Sequence, residues 1–402
     1  MRVTKATPML RMSDRALPSR WDIFCSLIDN YGDVAVAWRL ALELTREHGV
    51  AVRLFVDALP TLARLTRQVD ANRETQVVRG VEVHSWQGAH CAAPATAISG
   101  MGDVVVEAFG CGLPAAYLGG MSQRPAQPVW INLEYLSAES WIEGCHGLAS
   151  RQPRLPLTRY FFFPGFTPQT GGLLRERDLS VRRDDFAARH AAQAALWQAL
   201  GIEGPAANAL KVSLFCYSHA PVTALLDAWA AGRQEILCVV PEGVAGDALD
   251  AWTPTASMRS DGVFLRGRLK LARVPFVTQD DYDRLLWACD LNFVRGEDSF
   301  VRAQWAAKPL VWQCYPQAAA AHGAKLDAFL ARYGAGLSQS AATTYAAFAG
   351  NWNGVRTAPM AWDALAAALP ALRSQAREWA VALAAQGDLA TNLVKFASSR
   401  VQ

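Results

Sequence analysis

The chain has 402 residues, of which 51% are hydrophobic and 19% charged, with a formal net charge of +3. Length and composition describe a folded protein with room for two domains of ordinary size, and exclude a disordered chain. A charge so near neutrality, with its densest basic group (Arg175, Arg177, Arg182, Arg183) interleaved with Glu176, Asp178, Asp184 and Asp185, gives no reason to expect nucleic acid as a partner; that segment reads as a solvated linker or helix end.

Residues 1–20 carry charges throughout and no apolar core, so they read as a flexible N-terminal extension and not as a secretory leader. The run from Ile23 to Ile28 then reads as a buried strand, and Val34 to Leu44 as a helix. Between such elements a dinucleotide-binding fold places a glycine-rich phosphate loop. This chain places Asp29-Asn30-Tyr31-Gly32-Asp33 there. Two carboxylates would repel a phosphate. On the residues alone, either Asp29 caps the helix with Asp33 in its first turn, or the pair serves a cationic group.

Further along, Val50 to Val56, Val81 to Ser85, Asp103 to Glu107 and Pro128 to Asn132 read as strands, with a helix from Leu59 to Arg67. Short Val/Ile-rich runs without polar alternation, separated by helices, predict a parallel sheet covered on both faces. Glu134, Tyr135 and Trp141 follow a strand end and face either the cleft, a partner, or the packing of their own loop. From Arg151 to Asp178 the periodicity fades into Pro, Gly and aromatic residues, which predicts an interdomain connection. A second alternating series follows. Its strands are Leu210 to Cys216, "EILCVV", "GVFLRGRL", "LARVPFV", "DLNFVR" and "PLVWQC"; its helices are "APVTALLDAWA", "QDDYDRLLWAC" and "DSFVRAQWAA". Met360 to Val401 is Ala/Leu-rich and reads as helices.

The 8 Cys residues show no CxxC pair and read as reduced thiols. No apolar run is long enough to span a bilayer. The expectation is a cytoplasmic protein with neither membrane nor nucleic acid as partner.

The most informative stretch is "DLNFVRGEDSFVRAQWAAKPLVW". A strand feeds Arg295-Gly296-Glu297-Asp298-Ser299, and a helix starts at about Asp298 or Ser299. Gly296 permits a tight turn, the helix start offers free N–H groups to an anion, and Arg295 adds a cation suited to phosphate. Glu297 suits sugar hydroxyls, and Ser299 can donate a hydrogen bond. Phe215 and Tyr217 sit at another strand end, and Phe276 and Gln279 just before a helix, as a pyrimidine pocket requires. Ordinary capping and core packing explain each of these features singly. Asp280, Asp281 and Asp283 open a helix whose dipole favours early acids, so they do not read as a metal pair.

The segments "DNYGDVAVAWRLALEL", "INLEYLSAESW", "FFFPGF", "PFVTQDDYDRLLWACDLNFVRGEDSFVRAQWAAKPLVWQCYPQ" and "HGAKLDAFL" together resemble the bacterial protein-arginine rhamnosyltransferases of elongation factor P (the EarP family), from about Trp21 to the C-terminal helices. The resemblance implies an α/β GT-B fold: two Rossmann-like, doubly wound domains facing across a cleft, with C-terminal helices. The acceptor and catalytic-base domain would cover residues 21–178. The donor domain would cover 179–402, its terminal helices packing back on the first. It further implies inverting transfer of rhamnose from dTDP-β-L-rhamnose to an arginine of elongation factor P, with no metal and no cofactor besides that co-substrate. Carried over by matching residues, Asp29 and Asp33 are the acidic pair at the reaction centre, Asp29 the general base, and Glu297 the third essential carboxylate. Phe215, Tyr217, Phe276, Gln279, Arg295, Asp298, Ser299 and Tyr315 line the donor site. One departure is Ala307, where the family commonly has Gly, with tighter helix–strand packing as the expected effect. Two other readings share the donor domain: a GT-B enzyme with a small-molecule or glycan acceptor, and a noncatalytic nucleotide-sugar-binding module.

Overall fold

The computed structural model describes residues 20–28, 31–86, 100–253, 262–316, 322–356 and 360–401. Asp29, Cys91 and nearly all of the N-terminal extension lie outside the described residues. The first sheet contains β1 (Arg20–Cys25), β2 (Ala51–Val56), β3 (Thr75–Val78), β4 (Val81–Ser85), β5 (Val104–Ala108), β6 (Val129–Leu133), β7 (Ala149–Arg151) and β8 (Thr158–Phe162), in the order β3-β4-β2-β1-β5-β6-β8-β7. The second contains β9 (Leu210–Leu214), β10 (Ile236–Pro241), β11 (Val263–Arg266), β12 (Leu269–Val274), β13 (Leu291–Arg295) and β14 (Leu310–Gln313), in the order β11-β12-β10-β9-β13-β14.

Both sheets are parallel except where β3, β7 and β11 add antiparallel edges to β4, β8 and β12. In each, the strand order reverses beside the first strand, between β1 and β5 and between β9 and β13. Such switch points leave a crevice at the carboxyl ends of the strands, where doubly wound sheets bind ligands. Every residue of β5, β6 and β10 is buried, as expected of strands covered on both faces. This is the GT-B arrangement expected from the sequence.

The helices are α1 (Gly32–His48), α2 (Leu59–Leu65), α3 (Ala115–Gln123), α4 (Trp141–Cys145), α5 (Leu179–Ala188), α6 (His190–Ala199), α7 (Val222–Ala231), α8 (Gly246–Trp252), α9 (Gln279–Ala288), α10 (Asp298–Ala306), α11 (His322–Gly334), α12 (Gln339–Trp352), α13 (Trp362–Ala384) and α14 (Leu389–Ser398). α14 leaves the second unit and packs on α1. Its Phe396 ring lies 5.2 Å from Phe162 of β8, and the Leu389 N–H donates to the Leu173 carbonyl at 3.0 Å.

The structure corrects two expectations. The segment read as a connection from Arg151 onward contains β8, which pairs in parallel with β6 inside the first sheet. The β-forming Thr-Arg-Tyr-Phe-Phe run outweighs the prolines around it. The charged segment near Arg175 is not wholly solvated. Arg177 and Asp178 are exposed, but Glu176 turns inward between the two units.

That inward turn completes a buried ion network. Arg39 of α1 donates through Nε to Asp298 Oδ1 at 2.9 Å and through Nη1 and Nη2 to the Asp283 carboxylate at 3.2 Å each. Arg302 of α10 grips the same Asp283 carboxylate at 2.8 and 2.7 Å and reaches Glu176 Oε2 at 2.8 Å. Burial alone would raise the Glu176 carboxyl, yet Arg302 and Arg39 hold it down at about 2. Three acids thus share two guanidinium groups drawn from both units. Removing one member of a buried network leaves uncompensated charge, at a cost of about 3–5 kcal/mol.

Ala307 ends α10 with φ 54° and ψ 37°, the left-handed conformation that favours glycine. The methyl group therefore acts as backbone strain at a helix end, a different effect from the packing expected.

Two outcomes follow for stability. Arg39→Met lowers the thermal midpoint by an amount matching about 3–5 kcal/mol, read by calorimetry. Ala307→Gly raises unfolding free energy by about 0.5–1 kcal/mol in urea, the relief of left-handed strain less the entropy glycine adds to the unfolded chain.

Candidate active site

The two sheets face each other with their carboxyl ends toward a common cleft that has two connected chambers. The first encloses about 620 Å³ and is lined by Tyr31, Phe215, Tyr217, Phe276, Gln279, Tyr282, Arg295, Asp298 and Ser299, among others. The second encloses about 880 Å³ and takes in Asp33, Tyr135, Leu136, Glu297, Tyr315 and Lys325. Gly32 and Gly296 border both.

Seven of the residues expected at a donor site therefore meet in the first chamber, and Glu297 and Tyr315 stand in the second with Asp33. Strand ends put them there. Phe215 and Tyr217 follow β9, Arg295 closes β13, and Phe276 follows β12. Phe215 and Tyr282 rings stand 5.7 Å apart. The Arg295 guanidinium lies over Phe215 at 4.4 Å and Tyr217 at 4.7 Å, and its Nη1 donates to the Cys216 carbonyl at 2.8 Å. An aromatic wall backed by a fixed cation suits a base joined to phosphate.

Tyr31, from the first unit, closes against Phe276 of the second at 4.9 Å, and Arg64 lies over the Phe276 ring at 4.6 Å. The first chamber is thus roofed by both units. Tyr31, Tyr282 and Arg64 were not singled out from the sequence; the residue after a tight acidic turn and an aromatic inside a helix give no local signal of a ligand site.

The turn joining β13 to α10 has Gly296 at φ 58°, a left-handed position. Glu297 stands at the helix start and offers no side-chain cap, which leaves the first N–H groups of α10 facing the cleft. The Ser299 hydroxyl is engaged locally, accepting from the Arg295 N–H at 3.1 Å and donating to the Arg295 carbonyl. Gln279 and Asp298 line the chamber and also join the units. Gln279 Nε2 donates to the Ala35 carbonyl at 3.1 Å, and Asp298 accepts from Arg39.

In the second chamber, Asp33 lies in the first turn of α1 and is buried, its Oδ2 accepting from the Ile28 N–H at 2.8 Å. Glu297 reaches across from the other unit, and its Oε2 accepts from the Leu136 N–H at 2.9 Å. Burial pushes the Glu297 carboxyl up to about 8; the Leu136 N–H opposes this, Asp33 adds to it, and Lys325 again opposes it. A carboxyl so placed holds its proton at neutral pH and can donate as well as accept.

Tyr135 stacks on Phe109 at 4.5 Å and lines this chamber, whereas Trp141 is exposed and packs edge-on against Phe163 at 5.6 Å. The loop after β6 therefore contributes to the cleft through Tyr135 and the Leu136 backbone. Among the described residues no group of three or more His, Cys, Asp or Glu side chains is arranged to hold a metal, and no helix is long and apolar enough to cross a membrane.

Comparisons with known proteins agree with this geometry. The family model for elongation factor P (EF-P) rhamnosyltransferase EarP matches residues 21–398. A protein-arginine rhamnosyltransferase of Pseudomonas putida is 48% identical over 381 residues, covering 94% of this chain and 99% of its own. That of Pseudomonas aeruginosa is 46% identical over 377 residues, covering 94% and 98%. A solved structure described as the structural basis for EarP-mediated arginine glycosylation of translation elongation factor EF-P superposes with a TM-score of 0.66 at 36% identity, covering 95% of this chain and 99% of that one. A match that spans both units, cleft walls included, means that the chain belongs to the EF-P rhamnosyltransferase EarP family.

Proposed function

We propose that this protein is a cytoplasmic, inverting, metal-independent glycosyltransferase that moves L-rhamnose from dTDP-β-L-rhamnose to an arginine side chain of elongation factor P. The observation that carries the reading is the joining of two unlike chambers in one cleft, an aromatic, cation-backed one and an acidic one, in a chain of this family. In this reading residues 21–178 present the acceptor and 179–402 hold the donor.

The thymine ring lies among Phe215, Tyr217, Phe276 and Tyr282. The diphosphate meets Arg295 and the N-terminus of α10. The sugar projects past Gly296 toward Glu297 and Asp33, with Tyr315 at its side. Gln279, Asp298 and Ser299 act on the donor mainly by fixing the walls that touch it.

A guanidinium is protonated at neutral pH, its pKa being above about 12, and in that form it is a poor nucleophile. Carboxylates can orient its planar fork through paired hydrogen bonds. One guanidinium nitrogen attacks the anomeric carbon from the face opposite the diphosphate. The new C–N bond forms as the C–O bond breaks, its electron pair leaves with dTDP, and the nitrogen's proton passes to Asp29, the general base. Asp33, in the first turn of the adjoining helix, orients the fork. Glu297, still protonated in the free enzyme, donates to the sugar or to the departing oxygen. The positive potential at the helix start and on Arg295 receives the developing negative charge.

Incubation of elongation factor P with the enzyme and dTDP-rhamnose should add one deoxyhexose to an arginine, read by mass spectrometry; no mass gain would overturn the assignment. Asp29→Asn should lower kcat by about 10²–10⁴-fold with dTDP affinity unchanged in titration calorimetry, and substantial residual turnover would remove Asp29 from the base role.

The raised Glu297 carboxyl also gives a pH signature. Its folded value of about 8 lies above the ordinary 4.5, so the folded state binds this proton more tightly than the unfolded state does. Its stabilising contribution is complete below about 4.5 and is lost as pH rises through about 8. The thermal midpoint of wild type relative to Glu297→Gln should therefore fall between about pH 5 and about pH 8.5; a flat difference would contradict the burial of this group.

A further inference from the structure

We infer that Lys325 is a second cation of the diphosphate site, meeting the leaving group on the side away from Arg295. The inference rests on reading the cleft as a nucleotide-sugar site. Among the described residues Arg295 is the one cation lining the first chamber, and its guanidinium is committed to the Cys216 carbonyl and to the faces of Phe215 and Tyr217. It can approach the diphosphate from the nucleoside side only. Bond breaking takes place further on, beyond Gly296, where the lining groups include Asp33 and Glu297.

An oxygen that gains negative charge there is bordered by Asp33 and Glu297, with the start of α10 and Arg295 on one side of it and Lys325 on the other. This side chain stands in the second turn of α11, is half-buried, and lines the second chamber beside Cys314 and Tyr315. Among the described residues it is the one cation lining that chamber, and it has neither an ion pair nor a hydrogen bond with any of them. Its charge is felt by Glu297 and Glu134, yet it bonds to neither, which leaves its donors open to an anion in the chamber. Tyr217 and Tyr315 meet edge to face at 5.8 Å where the two chambers join, so a diphosphate passing between them would have Arg295 at one end and Lys325 at the other.

A lysine suits this position better than an arginine would. A compact point charge on a flexible stem can follow the oxygen as it leaves, whereas a planar fork holds one geometry. The same charge partly offsets the upward push that burial gives the Glu297 carboxyl.

The test compares dTDP with thymidine, which lacks the diphosphate. In titration calorimetry, Lys325→Met should weaken dTDP binding about 10- to 100-fold, the worth of one charge-assisted hydrogen bond, and leave thymidine binding unchanged. Lys325→Arg should restore most of the dTDP affinity. Equal loss for both ligands would mean that Lys325 supports the fold of the cleft, and would overturn the assignment. So would unchanged dTDP binding with a shifted pH profile of turnover, which would make Lys325 a counter-charge for Glu297. If wild type itself fails to bind dTDP, the nucleotide-sugar reading falls together with this one; if wild type and Lys325→Met bind it equally, only this one falls.

Discussion

Arg39 holds the molecule's two halves in register, and the cleft exists in usable form because of it. Its guanidinium leaves the first unit and is received by Asp283 and Asp298 of the second and by Glu176 of the segment between them. Asp298 also walls the first chamber, next to Gln279, which bonds the backbone of α1. Asp298 and Gln279, which join the two units, thus also wall the first chamber. The shape of that chamber and the relative position of the two sheets are therefore set by one group of interactions. Where two domains meet through a small polar interface, relative motion is the ordinary expectation; here the interface is polar but buried, and its charges tolerate little displacement.

Glu297 shows what that register makes possible. Alone on its turn it would be an ordinary surface acid at a helix start. It becomes a half-buried, proton-holding group because the loop after β6 closes over it, even though the Leu136 N–H that the loop donates pulls the other way. Its chemistry belongs to neither unit alone. The same holds for the first chamber, where Tyr31 from one unit covers Phe276 from the other.

Much of this was legible in the residues. Unalternating Val/Ile runs gave the strand positions of both sheets to within a few residues, because strands buried on both faces have no polar side to confuse the pattern. "RGEDS" read correctly as a strand, a glycine turn and a helix start, since only glycine enters that conformation without strain. The edges were harder. β3 has a single inward pair, Gln76 and Val78, the edge strand β7 is three residues long, and the β-forming run of β8 beside it is flanked by prolines that mask it. The buried ion network was invisible for a different reason: Arg39, Glu176 and the group of Asp283, Asp298 and Arg302 come from three distant parts of the sequence, and each resembles a solvated charge in its own neighbourhood. Lys325 and Tyr282 escaped notice because a helix's face toward a cleft is set by its docking, which no local pattern records.

The return of α14 to the first unit has a consequence for how the protein is made. Thr391 of α14 and His48 of α1 approach within 3.5 Å across 343 positions of chain. During synthesis the N-terminal unit emerges early and can begin to fold, as domains generally do, but the apolar face formed by Phe162 and its neighbours stays uncovered until Phe396 has left the ribosome. The second unit must fold in the interval, tethered to an unfinished first. A stalled or truncated chain would therefore display a greasy, half-dressed sheet, a ready signal for chaperones and proteases, long before it could display a working cleft.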